Sequence, residues 1–476
     1  MENRRIIPVF ECGKDGEKNS EGIASYRIPA LLKTKKGTLI AGADRRREHS
    51  SDWGKIDMVV RRSHDNGETW ENPITLLDLR ENLQGEDPGL RSPFNIDMVL
   101  LQDPSTERIF ALYDMWVEGR GTFGMLEAEN PYDRYTHIEG RAYLNIYKEG
   151  VEQPYTVREG GVVFSPEGER TSFKVVMQSD EPLYTDLGDL YEGERLRGNI
   201  FHRLRSDNPF TITSKSFIWL SHSDDEGQTW SCPRDITDQI YEPWMAFLGM
   251  GPGVGIALKQ GEHEGRLVAP IYTTNDTKEL KSQAARIIFS DDHGQTWQCG
   301  ASVNDDRVLS TGEVIQSATF TDELAQTTEA VPVELNDGRI KLFTRNLNGH
   351  IQVATSVDGG QSWTRFDEYP DQVDVYCQLS AVQTVQDNKE YVLVANANGP
   401  ARTNGVIRVA EVLPEGELHW LGYSLIQEGE YAYNALQQVG PTEFGVLYEH
   451  TEKPYNYYHL LYQKIEWSDI LENLVK

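Results

Sequence analysis

The sequence predicts an all-β chain: a ring of six four-stranded blades, or six-bladed β-propeller, with a small β-rich insertion domain in the second blade. Two repeats carry that reading. The first is Ser63-His64-Asp65-Asn66-Gly67-Glu68-Thr69-Trp70, which returns at Ser223–Trp230, Ser290–Trp297 and Ser356–Trp363 as S-x-D-x-G-x-[TS]-W. The second is a pair of β runs around a polar or Gly-bearing turn, seen at Tyr26–Asp44, Asn95–Asp114, Gly253–Thr273, Thr328–Arg345, Gln378–Ala397 and Tyr433–Glu449. Long helical periodicity is rare, and repeated short strands at regular spacing are what a radial all-β architecture requires.

Each S-x-D-x-G-x-[TS]-W copy reads as a tight turn between strands. The Asp carboxylate accepts backbone N–H bonds, the Gly takes positive φ, and the Trp packs into a neighbouring layer. These are structural staples rather than catalytic motifs. Trp70 and Trp230 lie 160 residues apart, whereas the next two intervals are 67 and 66. The excess, roughly 93 residues, marks an insertion between the second hairpin and the second Trp motif. The chain therefore divides into blades one and two over 1–116, an insertion over 117–214, and the remaining propeller over 215–476. Strand-like runs at Arg141–Tyr147 and Lys174–Val176 give the insertion its own β content.

The last unit holds three strands, at Ala435–Val439, Phe444–Tyr448 and Tyr458–Trp467, one short of a blade. Arg5–Glu11 is a strand-like run without a partner, so it is expected to complete blade six. Ser468 is expected to cap a short helix over Asp469–Val475.

Composition excludes several classes. The 476 residues carry 46 Lys+Arg against 75 Asp+Glu, a net charge of −29. Such a field repels polyanions, so no nucleic-acid partner is expected. No run of about 18 apolar residues exists, hence no membrane span is expected. The N-terminus shows no cleavable signal, which favours the cytoplasm. Cys12, Cys232, Cys299 and Cys377 are far apart and fit neither a disulfide framework nor a zinc site. The eleven His form no H-E-x-x-H, and Gly249-Met250-Gly251-Pro252-Gly253 departs from a dinucleotide fingerprint, so no metal and no cofactor is required. The sequence sets no oligomeric state; the chain is read as a monomer.

Propeller topology then sorts the chemistry. Starts of first strands and ends of second strands lie at one end of the ring. Arg27, Asp97, Glu329 and Tyr433 occupy the former positions, and Arg46, Tyr272, Arg345 and Arg402 the latter. A propeller centre also carries polar residues around ordered water, yet four arginines, two carboxylates and two tyrosines on one face ask for a ligand. Between Glu329 and Arg345, Asn336-Asp337-Gly338 makes a three-residue hairpin loop, and that register sets Glu329 directly opposite Arg345. The same construction around Lys35-Lys36-Gly37 sets Arg27 opposite Arg45, or Arg46 for a two-residue loop.

Tyr26-Arg27-Ile28-Pro29 followed by four Asp boxes resembles the sialidase (neuraminidase) superfamily, above all the catalytic domains of the larger Gram-positive enzymes. The likeness runs through Ser51-Asp52-Trp53-Gly54, Asn95-Ile96-Asp97-Met98-Val99, Thr327-Thr328-Glu329, Phe343-Thr344-Arg345, Gly399-Pro400-Ala401-Arg402 and Tyr431-Ala432-Tyr433-Asn434. It implies a retaining exo-α-sialidase acting on sialylated glycans of glycoproteins, glycolipids or oligosaccharides through a covalent sialosyl-tyrosine. Arg27, Arg345 and Arg402 match the triad that forks the sugar carboxylate. Tyr433 matches the nucleophile and Glu329 its proton acceptor: a neutral phenol avoids bringing a second negative charge to a carbon bearing a carboxylate. Asp52 matches the acid/base. Arg46 and Asp97 match contacts on the O4 and N-acetyl side. Phe123 is read as a wall of the acetamido pocket and Tyr272 as a glycerol-side or aglycone contact, while Tyr26 and Tyr431 are read as core.

The same catalytic set serves an intramolecular trans-sialidase, in which the sugar's own O7 replaces water, and a 2,3-dehydro product is a third outcome. A non-catalytic sialic-acid-binding propeller would lack Asp52, Glu329 or Tyr433, and all three are present. Related secreted enzymes often carry a lectin-like domain before the propeller, so the chain is either a catalytic fragment or a compact enzyme, and the resemblance favours the cell exterior.

Overall fold

A computed structural model describes residues 5–127, 132–203, 208–275, 281–452 and 457–476. Six sheets, antiparallel but for one short parallel pairing in the second, stand around a central axis, each beginning with a strand that lines it. Blade one is Ser25–Lys33, Leu39–Arg46, Ile56–Ser63 and Ile74–Leu77, hydrogen-bonded in that order. Blade four (Ala330–Glu334, Ile340–Thr344, His350–Ser356, Arg365–Val373) and blade five (Ser380–Gln386, Lys389–Ala397, Thr403–Val412, Leu418–Glu430) repeat the pattern. Blade six contains Asn434–Gln438, Glu443–Thr451 and Tyr458–Glu466, and its outer strand is Ile6–Phe10, paired with Tyr458–Glu466 from the other end of the chain.

Blade two is interrupted. Its strands Phe94–Gln102 and Ile109–Trp116 are followed only much later by Phe217–Ser223 and Arg234–Asp235. The intervening chain forms a short helix, Gly121–Glu127, and a separate eight-stranded sheet between Tyr135 and Thr211. Leu144, Ile146, Val175, Leu190 and Phe210 of that sheet share one buried cluster with Phe217 and Trp219 of blade two, so the inserted sheet is anchored by apolar burial.

Blade three departs from the sequence expectation. Its inner strand begins at Phe247, not Gly253, and pairs with Leu267–Thr274 over Phe247–Met250. Pro252 has no N–H for the ladder, and Gly253 adopts φ +127°. The chain switches there: Gly253–Val254 runs parallel to Val99–Leu100 of blade two before Ile256–Ala257 rejoins its own blade.

The four S-x-D-x-G-x-[TS]-W segments all join third to fourth strands. In each, the Ser hydroxyl lies 2.7–2.8 Å from an Asp oxygen and accepts the N–H of the Gly, while the same Asp accepts the N–H and hydroxyl of the following Thr or Ser. Each Gly has positive φ and abuts the preceding blade: Gly67 meets Tyr462, Gly227 Ile40, Gly294 Phe110 and Gly360 Ile287. The boxes therefore hold neighbouring blades in contact.

The C-terminal helix spans Trp467–Glu472, not Asp469–Val475, and Ser468 lies inside it. Val475 instead bridges Tyr423 of blade five, which draws the chain out of the helix. All four cysteines are free. No helix among the described residues is long and apolar enough to cross a membrane.

Candidate active site

The channel end opposite the Asp boxes opens into a cavity of about 230 Å³. Nine of the ten sequence-selected residues line it: Arg27, Asp52, Asp97, Phe123, Tyr272, Glu329, Arg345, Arg402 and Tyr433. Arg46 lies outside this lining, its side chain only 1% exposed behind Asp52.

Tyr433 occupies the centre. Its hydroxyl donates to Glu329 Oε1 at 2.7 Å, and Arg345 Nη1 donates both to that hydroxyl at 2.7 Å and to Glu329 Oε2 at 2.6 Å. The sequence-derived register holds, because Ala330 pairs with Thr344 and Arg345 N–H donates to the Glu329 carbonyl at 2.8 Å. Burial pushes the Tyr433 phenol well above its ordinary range; Arg345 opposes that rise and Glu329 adds to it. The phenol is thus neutral, with its hydrogen already directed at the Glu329 carboxyl.

Three guanidinium groups face this ring. The central carbons of Arg27, Arg402 and Arg345 stand 5.3, 5.4 and 5.9 Å from the Tyr433 ring centroid. Arg27 is fixed from behind by Glu449, and Arg345 lies 3.8 Å over the Tyr376 ring. The Arg402 side chain, on the Gly399–Arg402 turn, makes one long hydrogen bond among the described residues, to the Tyr376 carbonyl at 3.4 Å. Such a trio suits a planar anion, since each guanidinium offers paired donors.

The opposite side is acidic. Asp52, half exposed on the loop after blade one's second strand, accepts from Arg46 Nη1 at 2.7 Å and lies 3.5 Å from Arg27 Nη1. Burial opposes ionisation of Asp52, but Arg46 and Arg27 prevail and hold its carboxyl below the usual range. Asp97 adopts φ +64° and donates its N–H to Asp44 at 3.2 Å. Burial, then Asp114 and Asp44, pushes the Asp97 carboxyl well up. Trp116 stacks on Phe247, which meets Tyr272, to give an aromatic wall; Phe123 packs edge-on to Trp53.

Arg27 is opposite Asp44, not Arg45 or Arg46. The three-residue loop is as expected, with Leu32 opposite Ile40, but a bulge between Arg27 and Ala30 shifts the register by one. Ile28 sits there at φ +57° and donates its N–H to Glu449 at 2.9 Å. Tyr26 and Tyr431 are buried core residues. Asp44, Asp114 and Glu449 were missed as site residues, although each ends one of the hairpins read from the sequence and the positional rule that selects Arg345 selects them too. Tyr376, Phe247 and Gln283 also line or border the cavity and carry no such signal.

Residues 201–446 match the BNR repeat-like domain family. The chain belongs to that family and to the sialidase superfamily. It is 29% identical to the anhydrosialidase of the leech Macrobdella decora, over 93% of this chain and 59% of that protein. It is 27% identical to sialidase B of Streptococcus pneumoniae, over 93% of this chain and 63% of the relative. It thus spans about three fifths of these relatives' length. Among solved structures, the intramolecular trans-sialidase of Ruminococcus gnavus superimposes with a TM-score of 0.76 at 24% identity, covering 96% of this chain and 97% of that one.

Proposed function

We propose that this member of the sialidase superfamily is a retaining exo-α-sialidase that removes terminal α-ketosidically linked sialic acids from glycans. The observation that carries this is the convergence of Arg27, Arg345 and Arg402 on the ring of a tyrosine whose hydroxyl touches Glu329. The sugar carboxylate is the ligand such a trio suits.

In this reading the three arginines fix the carboxylate and set the anomeric carbon over the phenol. Tyr433 Oη attacks that carbon as its proton passes to Glu329. Asp52 gives a proton to the departing glycosidic oxygen, which leaves with the bond's electron pair. In the second half, Asp52 takes a proton from the attacking hydroxyl, the Tyr433–sugar bond breaks, and the proton on Glu329 returns to the phenol. A carboxylate nucleophile would meet like charge at a few Å; the neutral phenol does not. Asp52 must be protonated to begin, although Arg46 and Arg27 favour its ionised form. The incoming carboxylate supplies the change: engaged by Arg27, it offsets that positive charge and lifts Asp52 towards its acid form.

A second reading, transfer to the substrate's own O7, is favoured by the relatives named anhydrosialidase and intramolecular trans-sialidase. Turnover of 3′-sialyllactose in ¹⁸O-water, read by mass spectrometry, separates the two. Hydrolysis yields free sialic acid carrying ¹⁸O at the anomeric position. Internal transfer yields an unlabelled anhydro sugar, and intact substrate throughout would end the sialidase reading.

A further inference from the structure

We propose that Arg46 is a positioning residue for Asp52, fixing which carboxyl oxygen carries the proton delivered to the leaving group; this rests on the sialidase reading above. Arg46 ends the second strand of blade one, with its side chain 1% exposed. Its Nη1 donates to Asp52 Oδ1 and to the Ser50 carbonyl, both at 2.7 Å, while Nη2 donates to Asp44 Oδ2 at 2.9 Å. Asp44 is itself fully buried and accepts the Asp97 N–H at its other oxygen. The guanidinium is therefore held at one end by a buried carboxylate and at the other by the loop bearing Asp52.

A guanidinium has five donors and no acceptor. An Asp52 oxygen that accepts from Arg46 cannot point a proton at it, so Oδ1 stays the unprotonated oxygen. The proton falls to Oδ2, for which no protein donor is found among the described residues, in a carboxyl group that lines the cavity. When the bond to the aglycone breaks, the Oδ2 proton moves to the glycosidic oxygen and Oδ1 remains on Arg46 throughout. Without the clamp Oδ1 keeps only the 3.5 Å contact from Arg27 Nη1, which in the proposed reaction turns to the sugar carboxylate, so the acid can rotate and either oxygen can carry the proton. This role is separate from the substrate contact implied by resemblance: it rests on the hydrogen bonds by which Arg46 joins Asp52 to the buried Asp44.

The test uses leaving groups of different demand. A lactose alkoxide needs an acid, whereas an activated aryloxide such as 4-methylumbelliferone departs with little help. Arg46→Met is expected to lower kcat/KM on 3′-sialyllactose about 100-fold or more and on the aryl sialoside less than about tenfold, the range set by loss of general acid catalysis. Because Arg46→Met strands Asp44, the double variant Asp44→Asn/Arg46→Met is measured beside it and should show the same selective loss. Equal losses on both substrates with raised KM would make Arg46 a direct sugar contact and overturn the inference, as would unchanged rates. Failure of both variants to fold would reduce Arg46 to a structural ion-pair partner and also overturn it. Wild-type protein inert towards both sialosides would instead defeat the underlying sialidase reading, and this one with it.

Discussion

Arg27 and Glu449 lie 422 residues apart in sequence and are joined by two hydrogen bonds, Nε to Oε1 at 3.0 Å and Nη2 to Oε2 at 3.2 Å. Glu449 is fully buried and also accepts the N–H groups of Ile28 and Tyr433. One carboxylate thus aims an arginine at the cup, holds the bulge behind that arginine, and steadies the backbone of the central tyrosine. Glu449→Ala removes three sets of partners and leaves a buried guanidinium uncompensated. The expected loss is about 3–5 kcal/mol of stability, read by urea unfolding. Glu449→Gln should fold and show a raised KM.

Arg402 contrasts with Arg27. Among the described residues its guanidinium makes a single long hydrogen bond, to Tyr376, so little of the fold depends on that side chain. Arg402→Lys should change stability by less than about 0.5 kcal/mol. A point charge replaces a planar fork, so affinity for a sialic acid analogue should fall by about 1.5–3 kcal/mol in calorimetry.

Gly67 closes the ring between blades one and six. A Cβ there would lie 2.2 Å from the Tyr462 ring, and the residue holds φ +88°. Gly67→Ala should cost about 1–3 kcal/mol or more through overpacking and strain, read as a lowered urea midpoint. The folded fraction should keep wild-type turnover, because the third-to-fourth-strand turns lie away from the cavity.

Asp374 gives the fold's stability a pH dependence of definite sign. Burial raises its carboxyl to about 7, against the Asn396 amide and the charges of Arg408 and Arg345. The unfolded group titrates near 3.9. Between about pH 4 and 7 the native state therefore holds a proton that the unfolded chain has lost, and stability falls as pH rises through that window. Asp374→Asn should unfold several degrees above wild type at pH 8, with the difference closing towards pH 4.

The four Asp boxes and the facing of Glu329 and Arg345 were legible in the sequence because each follows from a local period: a turn with fixed residue types, a strand of period two, or a loop of known length; topology gathered four arginines at one end, and only the family resemblance singled out three of them. What the sequence hid arises where that period breaks. The bulge at Ile28 moves Arg27 from Arg45 to Asp44, and no propensity marks an isoleucine at positive φ. The strand switch at Pro252–Gly253 moves the start of blade three to Phe247 and so brings an extra aromatic to the wall. Glu449 and Asp114 stood at legible positions, yet a carboxylate at a strand end is an ordinary residue until its buried partner is known. Arg46 shows the converse: it ends the second strand of blade one where the sequence placed it, and only packing reveals that Asp52 and Asp44 enclose it.

The central claim is that Tyr433 becomes covalently bonded to the sugar. Incubation with a 2,3-difluoro sialic acid, whose second fluorine slows breakdown of the adduct, followed by proteolysis and mass spectrometry, tests it most directly. One fluorosialosyl adduct on the peptide containing Tyr433, absent from Tyr433→Phe and accompanied by loss of turnover in that variant, is the expected result. An unmodified Tyr433 in inactivated protein, or full turnover by Tyr433→Phe, would contradict the account.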